Sequence, residues 1–346
     1  MKNISKGAIH IHTTHSDGTS TIKQIAKAAK KNGLDWIIIT DHNNLNGLKE
    51  EGWYDGVAVI VGEEISPPLS DHYLAFDINQ TISENIPPQE FINEVNKQEG
   101  FGFIAHPDES RNRKHKLPPL IWTDWNVKDF QGLEIWNYLS DWGDEYDPKR
   151  GLYNYIFRNH MLKGPTPKVL DWWDKLNSGN PKIFPAIGSL DAHALKYCYL
   201  KTFFIKIFPY EDCFKTITNY IYLEEKLSTS FNDAKKQIYN AIKSGNNLII
   251  NRVWSKKSDE ISFYIKNEEK KAFSGDKITL NKENILTVKL PKIGNIKILH
   301  NGKAVRNVNT YEFQMSDLKT GKYRLEVRYK GRPWIFSNPI IIEENN

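Results

Sequence analysis

Apolar and polar positions alternate along Ala8-Ile9-His10-Ile11-His12, which predicts a strand that turns His10 and His12 to the same side. Gly18-Thr19-Ser20-Thr21 then reads as a turn with capping hydroxyls. Ile22, Ile25, Ala26 and Ala29 recur at helical spacing until Gly33. Trp36-Ile37-Ile38-Ile39-Thr40 is a continuous apolar run, the pattern of a buried parallel strand, and it ends in Asp41-His42-Asn43. The pattern repeats at Val57–Val61, which ends in Gly62-Glu63-Glu64. A short strand is predicted at His72–Phe76 and a helix over 88–99. Phe101–Ala105 ends in His106-Pro107. Leu133–Asn137 is a further strand, 170–176 a helix, and Ile183–Gly188 a strand closing in Ser189-Leu190-Asp191-Ala192-His193. Strands alternating with helices predict an α/β fold. About seven strands can be counted, and the polar residues fall just after them, where (β/α) barrels build their sites.

Past Ser255 the pattern changes. Runs at 260–265, 285–290, 296–300, 323–328 and 335–342 read as short strands, with Asn301-Gly302 as a hairpin turn. These predict a smaller C-terminal β-sandwich. The helix over 232–243, stopped by Gly245, marks the end of the first unit, so the expected domains are 1–253 and 254–346.

Composition narrows the chemistry. The 346 residues are 39% hydrophobic and 26% charged, enough for a sizeable core. The net charge of +5 permits an anionic substrate without requiring nucleic acid. With only Cys198 and Cys213, neither a disulfide framework nor a thiolate metal cage is expected. No apolar leader or membrane-length run is seen, and the expectation is a cytoplasmic protein with no membrane partner.

The strand-end residues form one constellation: His10, His12, Asp17, His42, Glu64, His72, His106, Asp191 and His193. They include six of the ten histidines. Histidine with carboxylate suits zinc, manganese or iron, and nine donors suit two or three ions with shared carboxylates.

These motifs resemble the PHP (polymerase and histidinol phosphatase) superfamily. The resemblance rests on His10-Ile11-His12, Ser16-Asp17-Gly18, Ile39–Asn43, Gly62–Ser66, His106-Pro107 and Asp191-Ala192-His193, and covers about residues 6 to 250. Gly132–Asn137, Trp173–Leu176 and Arg332–Ile340 look like its bacterial metallohydrolase branch with the carbaryl hydrolases and a C-terminal β domain. The resemblance implies a distorted (β/α)7 barrel holding two or three divalent ions. By position, His10, His12, Glu64 and Asp191 would bind one ion. Glu64 would bridge to a second, completed by His72 and His106, and Asp17, His42 and His193 would bind the third. The family pattern selects Glu64 over Glu63. Leu190 is an insertion against the usual Gly-Ser-Asp-Ala-His pattern.

The implied activity is a metal-dependent phosphoesterase acting on a small phosphorylated or nucleotide substrate. Two cations sharing a water would generate a hydroxide nucleophile. Asp191, His193 and His15 are the expected catalytic residues, His15 either donating to a substrate oxygen or orienting Asp17. Arg111, Arg113, Lys114 and His115 either clamp a phosphate or form a solvated basic loop. Asp41 is expected to support His42. The tryptophans at 122, 125, 136, 142, 172 and 173 are read as core more than as a pocket wall. Three rival readings use the same residues: a carbamate or carboxylic ester hydrolase, a 5'-3' exonuclease-type phosphodiesterase, and a non-catalytic metal-stabilised binding module. Nucleic acid is the less favoured partner.

Overall fold

The computed structural model describes residues 2–110, 118–199, 203–255 and 257–344. Seven strands carry the N-terminal part: β1 (Asn3–Ile9), β2 (Trp36–His42), β3 (Val57–Ile65), β4 (Tyr73–Phe76), β5 (Phe101–Ile104), β6 (Gly132–Asn137) and β7 (Ala186–Ser189). They pair in chain order from β1 to β7. Every pairing is parallel except those of β4, which is antiparallel to both neighbours.

The connection from β3 to β4, residues 66–72, explains that exception. A parallel crossover needs a dozen or more residues, and seven suffice only for a hairpin. Because β4 runs backwards, its first residues share an end of the sheet with the carboxyl ends of the other six strands. His72, which immediately precedes β4, is thereby delivered to the same rim as the other strand-end residues.

The two ends of the array meet. Leu190 N–H donates to Ile9 O, Ala192 N–H to His10 O and His12 N–H to Ala192 O. Lower down, Asn219 side-chain oxygen and nitrogen bond the backbone of Gly188. Asn219 lies on β8 (Ile217–Leu223), which is antiparallel to β1 and continues to β9 (Asn247–Asn251). β3 is buried along its whole length and β2 everywhere but its last residue, as its apolar run predicts for a strand covered on both faces.

Helices cover the outside. α1 (Ile22–Lys31) buries Ile22, Ile25, Ala26, Ala28 and Ala29, and Thr21 with Gln24 caps it in a reciprocal pair. α2 (Pro88–Lys97) follows β4, while α3 (Tyr138–Glu145) and α4 (Pro167–Asn177) follow β6. A one-turn helix, α5 (Tyr210–Cys213), precedes β8. α6 (Phe231–Ser244) ends at Gly245 with φ 71°, the left-handed cap that the sequence signals.

Strands resume with β10 (Ser262–Lys266), the long hairpin β11 (Ile285–His300) and β12 (Lys303–Met315), then β13 (Gly321–Tyr329), β14 (Arg332–Ser337) and β15 (Ile340–Glu343). The hairpin turns at Asn301-Gly302, both with positive φ. Phe263, Val288, Ile298, Leu325 and Trp334 centre a separate apolar cluster that also takes in Tyr222 and Leu248 of β8 and β9. β14 pairs antiparallel with β9, so hydrogen bonding runs unbroken between the two parts.

Alternation over 323–328 gives β13 a polar face, and Tyr323 to Val327 are all buried. Arg324 grips Asp174 of α4 through two hydrogen bonds of 2.7 Å and donates to Glu326 at 2.6 Å. The polar face of β13 is therefore an interface with α4. Trp122, Trp136 and Trp173 are core, and Trp125, Trp142 and Trp172 pack partly buried against it.

Candidate metal centre

β1 ends at Ile9 because His10 takes a left-handed conformation, φ 66°. Only a built environment holds such a residue there. His10 is fully buried and its Nδ1–H donates to Glu134 Oε1 at 2.7 Å. That bond sets the tautomer and turns the Nε2 lone pair inward. It lies 3.3 Å from Glu64 Oε2 and 3.5 Å from Asp191 Oδ1. His12 Nε2 sits 3.5 Å and 3.3 Å from the same two oxygens, while its Nδ1 is 4.0 Å from Asp17 Oδ1.

β2 and β3 place the next pair. His42 Nδ1 is 2.9 Å from Glu64 Oε2, and its Nε2 is 3.7 Å from Asp17 Oδ1. Adjacent residues on a strand face opposite ways, which separates Glu63 from Glu64. Glu64 points into the cluster. Glu63 faces outward, accepts from Ile82 N–H at 3.2 Å, and is pushed by burial up to about 7.

His72 shows the same lone-pair logic as His10. Its Nε2–H donates to Pro67 O at 3.1 Å, leaving Nδ1 facing Glu64 Oε1 at 2.9 Å. His106 Nε2 is 3.3 Å from that oxygen. His193 donates Nδ1–H to Asp191 O at 2.9 Å and aims Nε2 at Asp17 Oδ1, 3.2 Å away.

Three imidazoles thus spend their N–H outside the cluster and point a lone pair at a carboxylate oxygen. Two acceptors at such distances repel unless a cation lies between them. His10 Nε2 and both ring nitrogens of His12 are buried without a hydrogen-bond partner, each costing about 1–3 kcal/mol if nothing binds them. The donors group as His10, His12 and Glu64; His10, His106 and Asp191; Glu64, His72 and His106; and His12, Asp17, His42 and His193. Within each group they lie 4.8 Å or less apart. The residues fit divalent cations held by nitrogen and oxygen.

Electrostatics agree. Where a proton rather than a cation fills the gap, the facing carboxylates raise His10 well above its ordinary range and His106 and His193 to about 9 against burial, and the resulting imidazolium charges at His10, His42 and His72 hold the buried Glu64 carboxyl well below its own. Asp191 is depressed in the same way against burial, first by His10. Burial and the charges of His193 and His42 drive His12 down to about 3, so its ring is neutral and ready to act as a ligand.

Four side chains have roles that the sequence reading missed or placed elsewhere. Glu134, within β6, holds His10 and also accepts the His106 backbone N–H at 2.5 Å, tying β1 to β5. A carboxylate inside the apolar run Leu133-Glu134-Ile135 was the available signal. Asn137 donates to Glu134 at 3.1 Å and caps α3. Asp41 turns away from His42 and accepts from Thr13 N–H, Thr13 Oγ1 and Ser16 Oγ, bracing the turn that carries Asp17. Tyr210 reaches the backbone of the same loops.

His15 is turned to Glu50, with Nε2 2.6 Å from its carboxylate, and is not grouped with the converging donors among the described residues. Arg111, Arg113, Lys114 and His115 lie outside the described residues. A chamber of about 100 Å³ opens beside His106 and Glu134, walled by Trp136, Ser140, Asp141 and Thr166.

Residues 8–114 match the PHP domain. An uncharacterized protein of Methanocaldococcus jannaschii is 30% identical over 173 residues, which span 46% of this chain and 92% of that protein. The first third of the chain is thus similar to the PHP domain. A further relative is a phosphoribosyl 1,2-cyclic phosphate 1,2-diphosphodiesterase of Eggerthella lenta, 36% identical over 61 residues. The match takes in 17% of this chain and only 23% of that enzyme. Among solved structures, a two-domain protein of Bacteroides vulgatus containing a predicted PHP-like metal-dependent phosphoesterase aligns over 98% of this chain and 95% of its own. Its TM-score is 0.47 at 14% identity. No helix among the described residues is long and apolar enough to cross a membrane.

Proposed function

We propose that this protein is a PHP-type metal-dependent phosphoesterase acting on a small phosphate ester, with two or three divalent ions at the strand ends. The observation that carries the reading is Glu64. Oε2 faces His10, His12 and His42, while Oε1 faces His72 and His106. One carboxylate shared between two histidine groups is the arrangement that spaces two cations for one substrate. The partial match to the Eggerthella diphosphodiesterase supports phosphate chemistry. We read the seven-strand array as a distorted (β/α)7 barrel and residues 254–346 as a β-sandwich domain. The closer kinship is with the metallohydrolases that include the carbaryl hydrolases, on the strength of the motif at Arg332–Ile340.

When bound, the ions would supply Lewis acidity toward a phosphoryl oxygen and lower the pKa of a coordinated water. His10, His12, Glu64 and Asp191 would hold one, Glu64, His72 and His106 a second, and Asp17, His42 and His193 a third. The chain's own contribution is arrangement. Glu134 orients His10 and the His106 backbone, so the inner donors are set before a substrate arrives. Burial of His10, His12 and Glu64 excludes bulk water from that side. Asp17, exposed over 55% of its side chain, leaves the other side open for the substrate. His15, held by Glu50, is the group we assign to protonation at the rim.

The test is elemental analysis of protein purified without chelator, with hydrolysis of an aryl phosphate before and after chelation. Two to three equivalents and chelator-sensitive turnover are expected. Metal with turnover of aryl carbamates or esters alone would replace the phosphoesterase reading. Absence of stoichiometric metal after reconstitution would end it.

A further inference from the structure

The nine donors divide by exposure. His10 and His12 are 0% exposed and Glu64 1%, whereas His42 is 29% and Asp17 55% exposed on its side chain. Asp17 and His42, the exposed pair of the outer group, therefore need something other than burial to hold them beside the buried His12 and His193. Asp17 and His193 sit on separate loops, and their backbones converge on one phenol. The Tyr210 hydroxyl reaches His12 O at 2.7 Å and His193 O at 3.0 Å, and its oxygen accepts Thr19 N–H at 3.2 Å. Thr19 N–H also donates to His193 O, and its hydroxyl donates to Ala194 O. Tyr210 is buried on α5, just before β8, and its hydroxyl is engaged by these loop backbones.

We propose that Tyr210 is a positioning residue that closes the outer metal site, by clasping the loop 12–19 to the loop 191–194 so that His12, Asp17, His42 and His193 stay within ligating distance. The inference rests on the metal-centre reading above. The inner donors have a different tie, Glu134, so the two halves of the centre should respond to different substitutions.

The experiment titrates Mn²⁺ into chelator-treated wild type, Tyr210→Phe and Glu134→Gln by calorimetry, with metal content after dialysis and melting curves with and without Mn²⁺. Phe keeps the buried ring. Tyr210→Phe is expected to bind one equivalent fewer, or to weaken its weakest equivalent about 10–100-fold, the range for lost groups behind metal ligands. Its tighter equivalents should stay within about twofold, and Glu134→Gln should show the reverse pattern. A purely structural role would lower the melting temperature equally with and without Mn²⁺. Loss of the clasp should shrink the Mn²⁺-induced rise instead. Should Tyr210→Phe fold poorly, Thr19→Val, which removes the tie to Ala194, is expected to weaken the same equivalent. Unchanged Mn²⁺ binding in both variants overturns the clasp and leaves the metal centre standing. Absence of Mn²⁺ binding in wild type overturns both.

Discussion

A single carboxylate, Glu134, shows how much rests on groups that touch no substrate. It accepts from an imidazole of one strand end and a backbone N–H of another. Glu134→Gln is expected to cut turnover and metal affinity by about 10–100-fold with little loss of fold, as measured by kcat and by Mn²⁺ titration. Gly18 makes a different demand. A Cβ there would lie 2.3 Å from His12 O and 2.7 Å from Thr13 N, both rigid backbone. Gly18→Ala is expected to displace Asp17 and destabilise the protein by about 1–3 kcal/mol, with denaturant unfolding as the check. The histidines and Asp17 were legible in the sequence because metal donors are rare residue types on strand ends. Asp41 was misread because its partners, Thr13 and Ser16, lie on a loop 25 or more residues away.

At the level of elements, β13 and α4 hold the C-terminal strands to the first part. Arg324 is nearly buried between Asp174 and Glu326. Arg324→Met leaves Asp174 without its cation and Glu326 with Lys297 alone, and is expected to cost about 3–5 kcal/mol, visible as a drop in melting temperature. The pair also predicts an acid response. Burial tends to raise the Glu326 carboxyl, but the charges of Arg324 and Lys297 hold it below its ordinary range. Stability from that group is therefore complete above about pH 4.5 and is lost as the pH falls through its lower folded value. Melting curves of wild type and Glu326→Gln should differ most above pH 5 and converge toward pH 3. Alternation marked β13 as a strand, but period two cannot say whether its polar face meets water or a helix.

Over the whole molecule, the metal centre is also a folding element. The candidate donors come from the ends of six of the seven strands, all but β6, or the turns beside them, so bound cations would link residues from 10 to 193. Ions that bind only the folded chain stabilise it by mass action, about 2.7 kcal/mol at a hundredfold excess over Kd for one site. Chelation is therefore expected to lower the melting temperature of the entire chain in one transition, as followed by circular dichroism and tryptophan fluorescence together. Two separate transitions would show that the C-terminal strands unfold independently despite the β9–β14 pairing.

The sequence alone marked the candidate donors and the strands beside them, because both are local: a residue type, a run of apolar positions, a stop. The reversal of β4 came from the structure, because β3 runs on to Ile65 rather than ending at Val61 and leaves only seven residues before β4. Tertiary structure decided which donors share a carboxylate, that Glu64 faces inward while Glu63 faces Ile82, and that Glu134 and Tyr210 stand behind the ligands. Those facts depend on which strand ends meet when the array curls from β1 round to β7. That is a property of distances through space, which spacing along the chain does not contain.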